Sequence, residues 1–426
     1  MADTIPARIV ATIRERISSG TLLPGDGLPS TRTLAGQLGV ARGSVVAAFE
    51  QLVGEGFLVS GPGGTRVNPD LPPRPARSGR ARPGVDKPDP GLLRPGVPET
   101  GQLASTLWRR CWRVAAADPV VHPAPGSWRL RELIAEHVRV TRSVAVDPAS
   151  VIVTAGARDG LRTLLQVVEG TVAVEDPGYP SLHRVPRAMG RKLVPVGTDG
   201  DGISVAQLEA VRPAVVLVMP NHQYPTGRQM PASRRFELIE WSRRSGALIV
   251  EDDYDSELRR AHPALAALDP GAVLLGSFAK TLTPALGLGY LIVPERLREA
   301  VAGQAVPVSG LVQEAMAEFL AADGVRRHTA RMRRGYGRRR LLFAEVFPEG
   351  VPMDGGLHAV IELRPGADEA AAVARCRRAG LAVSGLGDYW TAADRPGVVV
   401  GLGGVGEERL REALERLRGL LLSYLP

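Results

Sequence analysis

Cysteine is nearly missing from this chain: two in 426 residues, Cys111 and Cys376, far apart in the sequence. That excludes a disulfide framework and a cysteine-based metal site, and it suits reduced thiols in a core. No metal ligand set is expected. No apolar run reaches the roughly 20 residues that cross a bilayer as a helix. The first residues, MADTIPARIVATIRERI, are amphipathic and charged, so they do not read as a secretory signal. Acidic residues are outnumbered, 45 against 53 basic, and the basic residues are nearly all arginine. The net charge of +8 permits a nucleic-acid partner without proving one. The expectation is a soluble, cytoplasmic protein with no membrane contact, long enough for two or three domains.

What the chain does contain begins with a small helical module over residues 1–68. Ile5, Ile9, Ile13 and Ile17 recur every four residues, one stripe of a helix that Gly20 ends. Ser30 is placed as the N-cap of a second helix, with Leu34, Ala35 and Leu38 facing inward and Gly39 just past its end. A third helix starts near Ala41 and turns Val45, Val46, Phe49 and Leu52 toward the core. Two short strands around Pro62-Gly63-Gly64 then read as a wing. Two helices across a tight glycine turn make a helix-turn-helix pattern. As a reader of DNA it would set the start of the third helix in the major groove, with Arg42 and Ser44 at bases or phosphates. Ser30 and Arg32 would touch phosphates, and Gly63 and Arg66 would serve the wing. A protein-interaction module with solvated arginines has the same pattern.

Residues 69–90 hold seven prolines, four arginines and one lysine, an extended basic linker. Residues 91–426 alternate strand-like runs with helical patterns. The expected strands are Val151–Thr154, Val172–Glu175, 192–196, 214–219, 248–251, Val273–Ser277 and 289–293. This alternation gives a mainly parallel sheet covered on both faces, so the class is α/β. Ligands of such sheets bind at the carboxyl ends of the strands, and the chemically able residues fall there. Ala157 and Arg158 open a helix that can cradle a phosphate. Asp176-Pro177-Gly178-Tyr179 presents one ring, and Asn221 to Tyr224 form a polar turn. Asp252 ends a strand where a carboxylate can hold a pyridinium proton, and Tyr254 follows two residues on. Ser277 and Lys280 close the series, the lysine among small and hydroxyl residues that let its amine form a Schiff base. Alone, such a lysine reads as an exposed surface residue. Residues 341–426 read as a smaller subdomain. The basic stretch His328–Arg340 reads either as a DNA-contacting surface or as a connecting helix with a solvated face.

Two resemblances follow from these residues. LPSTRTLAGQLGVARGSVVAAFEQLVGEGFLVSGPGGTRV resembles the winged helix-turn-helix of GntR-type regulators, with Gly43 where a polar side chain is usual. EDPGYP, NHQYPTG, EDDYDSE and GSFAKTLTP in that order resemble fold-type I, aminotransferase-like proteins in the form found in MocR/GabR-type transcription regulators. The resemblance implies pyridoxal 5'-phosphate (PLP) as cofactor, double-stranded operator DNA as partner, and a homodimer. It implies that Lys280 forms the Schiff base, Asp252 pairs with the pyridine nitrogen, Tyr254 with the ring oxygen, and Tyr179 stacks. Ala157, Arg158 and Ser277 would hold the phosphate, and Asn221 to Tyr224 would line the pocket. Three positions depart from the family. Gly287 stands where an arginine usually clamps the phosphate, Val121 where a tyrosine often reaches it, and Val399 where true aminotransferases grip a carboxylate. Arg158 is expected to replace part of the missing clamp. The implied function is a regulator that senses PLP, or an adduct with an amine. The alternatives are a PLP-dependent transaminase with an added DNA-binding module, and a DNA-binding protein whose large domain is only a scaffold.

Overall fold

The computed structural model describes residues 4–71, 91–259, 262–351, 353, 355–391 and 395–426. It divides into two compact units, residues 1–88 and 89–426. Most of the linker, residues 72–90, lies outside the described residues.

The first unit has three helices, α1 (Ile5–Ser18), α2 (Thr31–Leu38) and α3 (Arg42–Gly54), and a hairpin of β1 (Leu58–Gly61) and β2 (Gly64–Val67). Ile9, Val10 and Ile13 of α1 pack on Val45, Ala48, Phe49 and Leu52 of α3, with Leu58 and Val67 closing the core. The Ser30 hydroxyl accepts from the Thr33 N–H, a cap worth about 1 kcal/mol. Gly39 takes the left-handed conformation after α2. Three expected core positions differ. Ile5 and Leu38 are exposed and Val46 is only half-buried, while Ala48 is buried in its place. The stripe of α3 is therefore 45, 48, 49, 52, the i, i+3, i+4, i+7 face of one helix. Leu71, at the start of the expected linker, packs against this core.

The second unit begins with α4 (Thr106–Ala117) and α5 (Trp128–Arg142). Then come β3 (Val151–Thr154), α6 (Ala157–Leu165), β4 (Val172–Asp176), α7 (Pro180–Ala188), β5 (Leu193–Asp199), β6 (Gly202–Ile203) and α8 (Val205–Val211). They are followed by β7 (Val215–Val218), α9 (Ala232–Ser245), β8 (Leu248–Asp253), α10 (Leu265–Leu268), β9 (Val273–Ser277) and β10 (Gly289–Ile292). The eight strands form one sheet in the order β3-β10-β9-β8-β7-β4-β5-β6. β9, β8, β7, β4 and β5 run parallel, whereas β10 is antiparallel to both neighbours and β6 is a short antiparallel edge. All seven expected strands are present within two or three residues at their ends.

Strand periodicity explains why helices cover both faces. Val151 and Val153 of β3 and Leu274 of β9 face α5 and α12 (Gly310–Ala321), through Leu130, Ile134 and Met316. Ile152, Leu275 and Leu291 point the other way, toward Leu161 and Leu164 of α6. A sheet buried on both sides needs nearly continuous apolar strands, and these have them.

The chain then continues through α11 (Arg298–Gln304), α12 and the long α13 (Gly324–Val346) to a three-stranded sheet. That sheet contains β11 (His358–Glu362), β12 (Ser384–Gly385) and β13 (Gly397–Gly401) in the order β11-β13-β12, covered by α14 (Glu369–Arg378) and α15 (Glu407–Leu421). Its core is not confined to residues 341–426, because Leu93 is part of it. The basic stretch lies on α13 and is largely engaged within the unit. Arg333 donates to Glu257 O, Arg338 pairs with Glu407, and buried Arg339 donates to Leu402 O. Both cysteines are buried and free. Among the described residues, no helix is long and apolar enough to cross a membrane.

Candidate functional site

In the parallel strands the residues that follow each carboxyl end meet on one edge of the sheet. Strand order reverses between β4 and β7, the switch point where open α/β sheets place ligands. A cavity of about 200 Å³ lies at this edge. Its walls include Ala157 and Arg158, Tyr179, Asp252 and Tyr254, and Ser277 and Lys280. Gly287 also lines it. Residues spread over 130 positions of sequence thus surround one space.

Asp252 forms the floor. It is buried, and its Oδ1 has no hydrogen-bond partner. Burial first, then the charge of Asp253, push its pKa up to about 8, and Lys280 only partly offsets them. The Oδ1 atom lacks a donor, and a protonated ring nitrogen would supply one. Its neighbours on β8 point to the opposite face, as strand alternation requires. Glu251 accepts from the Leu265 N–H and from Asn221 Nδ2, and Asp253 pairs with buried Arg142.

Lys280 is half-buried and its Nζ donates to Gly96 O at 2.7 Å. The same Nζ lies 5.7 Å from the centre of the Tyr179 ring. The phenol of Tyr254 sits 2.8 Å from His222 Nδ1 and donates to His222 O at 3.0 Å. The His222 ring stacks on Tyr254 at 5.6 Å, and its Nδ1 is 2.7 Å from Asp255 Oδ2. Burial would raise the Asp255 carboxyl, but the His222 imidazole and then Arg259 hold it down at about 2. This pair braces Tyr254 from behind, and sequence reasoning did not single it out. The signal was present as a histidine in the polar turn and a further acid three positions past Asp252.

The other end of the cavity is built differently. Gly156, at φ 101°, turns the chain into α6, whose first amides open toward the space. Ser277 Oγ accepts from the Ala279 N–H. Arg158 is exposed at the rim. At Gly287, a Cβ would meet nothing within 4 Å, so there is room where an arginine would project.

Asn221 does not join this group. Its Oδ1 accepts from Arg235 Nη2 at 3.0 Å and its Nδ2 donates to Glu251 at 3.3 Å. Buried Arg235 and Glu251 need these partners, which draws the amide away from the cavity. His222 and Gln223 likewise brace neighbouring turns, and only Tyr224 of that stretch reaches a wall. It lines a smaller compartment of about 20 Å³ with Gly96, Tyr179, Tyr254, Lys280, Leu357 and His358. That volume is room for about one water. His358 is held down near 3 by burial and the His222 imidazole, so it carries no charge at neutral pH. Val399 is fully buried with Met219, Tyr224, Val360, Leu386 and Tyr389. Val121 is exposed.

In the first unit, Arg42 Nε donates to Thr31 Oγ1 at 3.3 Å, which ties the starts of α2 and α3 together. Ser30, Arg32 and Arg42 are exposed around these two helix starts, and Ser44 is half-buried. Arg66 and Gly63 meet at the exposed hairpin, where a Cβ on Gly63 would lie 3.4 Å from the guanidinium. A side chain at Gly43 would meet open space, so its absence shortens the contact surface of α3 and strains nothing.

Comparison with known proteins covers both units. Residues 6–67 match the family of bacterial regulatory proteins named gntR, and residues 120–387 match aminotransferase class I and II. The chain is 42% identical to the HTH-type pyridoxine biosynthesis transcriptional regulator PdxR of Corynebacterium glutamicum, over 97% of this chain and 95% of the relative. It is 30% identical to the probable rhizopine catabolism regulatory protein MocR of Rhizobium meliloti, over 96% and 92%. Among solved structures, an archaeal alanine:glyoxylate aminotransferase superposes with a TM-score of 0.72 at 20% identity, over 78% of this chain and 91% of that one. The kynurenine aminotransferase of Pyrococcus horikoshii gives 0.69 at 20% identity, over 80% and 92%. These two likenesses concern the fold of the second unit.

Proposed function

The chain belongs to the family of HTH-type transcriptional regulators that join a gntR-type domain to an aminotransferase class I and II domain, and from that membership we propose that it is a DNA-binding regulator whose second unit binds PLP as its effector. The observation that carries the reading is the buried, unpartnered Asp252 oxygen in the cavity that Lys280, Tyr254 and Tyr179 share.

When bound, PLP supplies an aldehyde within reach of a lysine and a ring nitrogen that draws electrons when protonated. The residues here suit that group. Asp252 would hold the ring proton, and the two charges would satisfy each other in a site where either alone is costly. Tyr254, whose hydroxyl donates to His222 O, would have to turn that proton to serve the ring oxygen. Tyr179 would cover the ring, and Lys280 would offer its amine. The amides of Ala157 and Arg158, the Ser277 hydroxyl and the Arg158 guanidinium would receive the phosphate. Arg158 acts from the rim and so takes over only part of the arginine role vacated at Gly287.

A transaminase must also hold the carboxylate of its amino acid. Among the described residues that line the smaller compartment, only Lys280 is a cation, since His358 is neutral, and Val399 is apolar. That favours sensing over turnover, and it favours PLP itself over an amino-acid adduct. The name of the Corynebacterium relative, a pyridoxine biosynthesis regulator, points the same way. Winged units acting in pairs on two half-sites suit a homodimer in the cytoplasm.

The test is DNA affinity by fluorescence anisotropy, on a duplex selected from random sequence, with and without PLP. The expected change is tenfold or more, the usual size of an allosteric coupling. Equal affinities would contradict the effector role. A half-reaction with amino acids at enzyme-like rates would favour the transaminase.

A further inference from the structure

The segment Gly91–Glu99 enters the second unit directly after the linker and passes over Lys280. Both of its ends are fastened. Leu92 O accepts from the Ala382 N–H and Leu93 O from the Gly401 N–H, each at 2.7 Å. The Glu99 N–H donates to the Tyr336 hydroxyl at 2.9 Å. Gly401 and Gly403 are glycines for a reason, because a Cβ on either would collide with Arg94 O or Val97 O. Between the fastened ends the chain arches. Gly96 has φ +76°, a conformation that side chains resist, and its carbonyl accepts the Lys280 amine. A Cβ on Gly96 would stand 2.8 Å from that amine.

We propose that Gly96 is a positioning residue for Lys280, and that their contact reports the state of the lysine amine to the segment continuous with the DNA-binding unit. The inference rests on the reading that Lys280 takes a carbonyl ligand. The free amine has hydrogens to donate to the Gly96 oxygen. On condensation a C=N bond replaces the C=O bond of an aldehyde, and the carbonyl oxygen leaves as water with two hydrogens. At most one proton would then stay on the nitrogen in place of those the free amine carries, and the donation to the Gly96 oxygen would be given up. The arch loses the contact at its middle while its ends stay fastened. A ligand bound without using the amine leaves the arch as it is.

Hydrogen–deuterium exchange of full-length protein, read in peptides covering residues 91–99, tests this. Pro95 and Pro98 have no amide hydrogen and the Glu99 N–H stays with the Tyr336 hydroxyl, so the reporters are Arg94, Gly96 and Val97. Saturating PLP is expected to speed exchange there about tenfold, the scale for losing one hydrogen bond. The visible absorbance of the same sample shows independently whether PLP has joined a lysine. Lys280→Met is expected to exchange fast with or without PLP. Lys280→Arg keeps a donor but forms no Schiff base, and is expected to exchange slowly under both conditions. A wild-type band with no change in exchange would overturn the inference and leave the PLP reading standing. Slow exchange in Lys280→Met would overturn it as well. No band in the wild type would remove the PLP reading and this inference together.

Discussion

The two ends of the cavity differ in how they are made. At the ring end, side chains do the work from buried positions: Asp252 with an unsatisfied oxygen, and Tyr254 braced by a histidine–aspartate pair. At the phosphate end the walls are main-chain amides, one hydroxyl, an exposed arginine and a glycine with space around it. Burial makes a change at the ring end expensive, since an isolated charge in an apolar site costs several kcal/mol. Backbone amides at the other end are present whatever the side chains are, so that end tolerates loss. Gly287, where the resemblance implies an arginine, lies at the tolerant end.

The strongest way to break the contrast is at Asp252. Asp252→Asn keeps the shape and removes the charge proposed to pair with the ring nitrogen. PLP affinity is expected to fall by about a hundredfold, the scale of a broken buried pair. The ligand-free protein should respond in the opposite sense. The folded pKa of Asp252, about 8, is above its ordinary value of 3.8. Folding therefore binds a proton between those values, and stability falls as pH rises from about 4 to about 8. The asparagine variant lacks that loss. Its thermal midpoint, compared with wild type in the absence of PLP, should gain steadily from pH 5 to pH 8.

Next in size is Arg158→Gln, expected to weaken PLP about tenfold, measured by titrating the visible band. A smaller effect than at Asp252 is what the contrast requires, and an equal or larger one would reverse it. Gly287→Arg runs the other way. A Cβ at this position would meet nothing within 4 Å, and an arginine there is expected to tighten PLP up to tenfold. Its left-handed backbone, φ +52°, should cost about 1 kcal/mol of stability. Arg42→Ala, in the first unit, should leave the PLP titration unchanged. It should weaken DNA about tenfold and lower the salt slope of binding by about one.

The sequence carried the ring end well because its chemistry is local. Asp252 and Tyr254 sit two apart at the end of an apolar strand, and Lys280 follows another. Strand positions were legible for the same reason, since a sheet buried on both faces writes itself as continuous apolar runs. What was not legible depends on partners distant in the chain. Asn221 turns from the cavity because Arg235 and Glu251 claim it. Leu38 is exposed although its spacing suits a core face. The arch over Lys280 joins residues 184 positions apart, and Leu93 joins a core built from residues beyond 340. Period and propensity carry no information about such pairings.

The central claim is that the second unit holds PLP through Lys280 although glycine stands at position 287, where the resemblance implies an arginine. The chain has three lysines, Lys87, Lys192 and Lys280, which makes the measurement clean. Purified protein is mixed with PLP, its visible spectrum recorded, and the complex reduced with borohydride and mapped by mass spectrometry, with Lys280→Ala alongside. The account predicts a band in the wild type, none in the variant, and the reduced cofactor on Lys280. A wild type without a band at saturating PLP, or label on Lys87 or Lys192 instead, would contradict it.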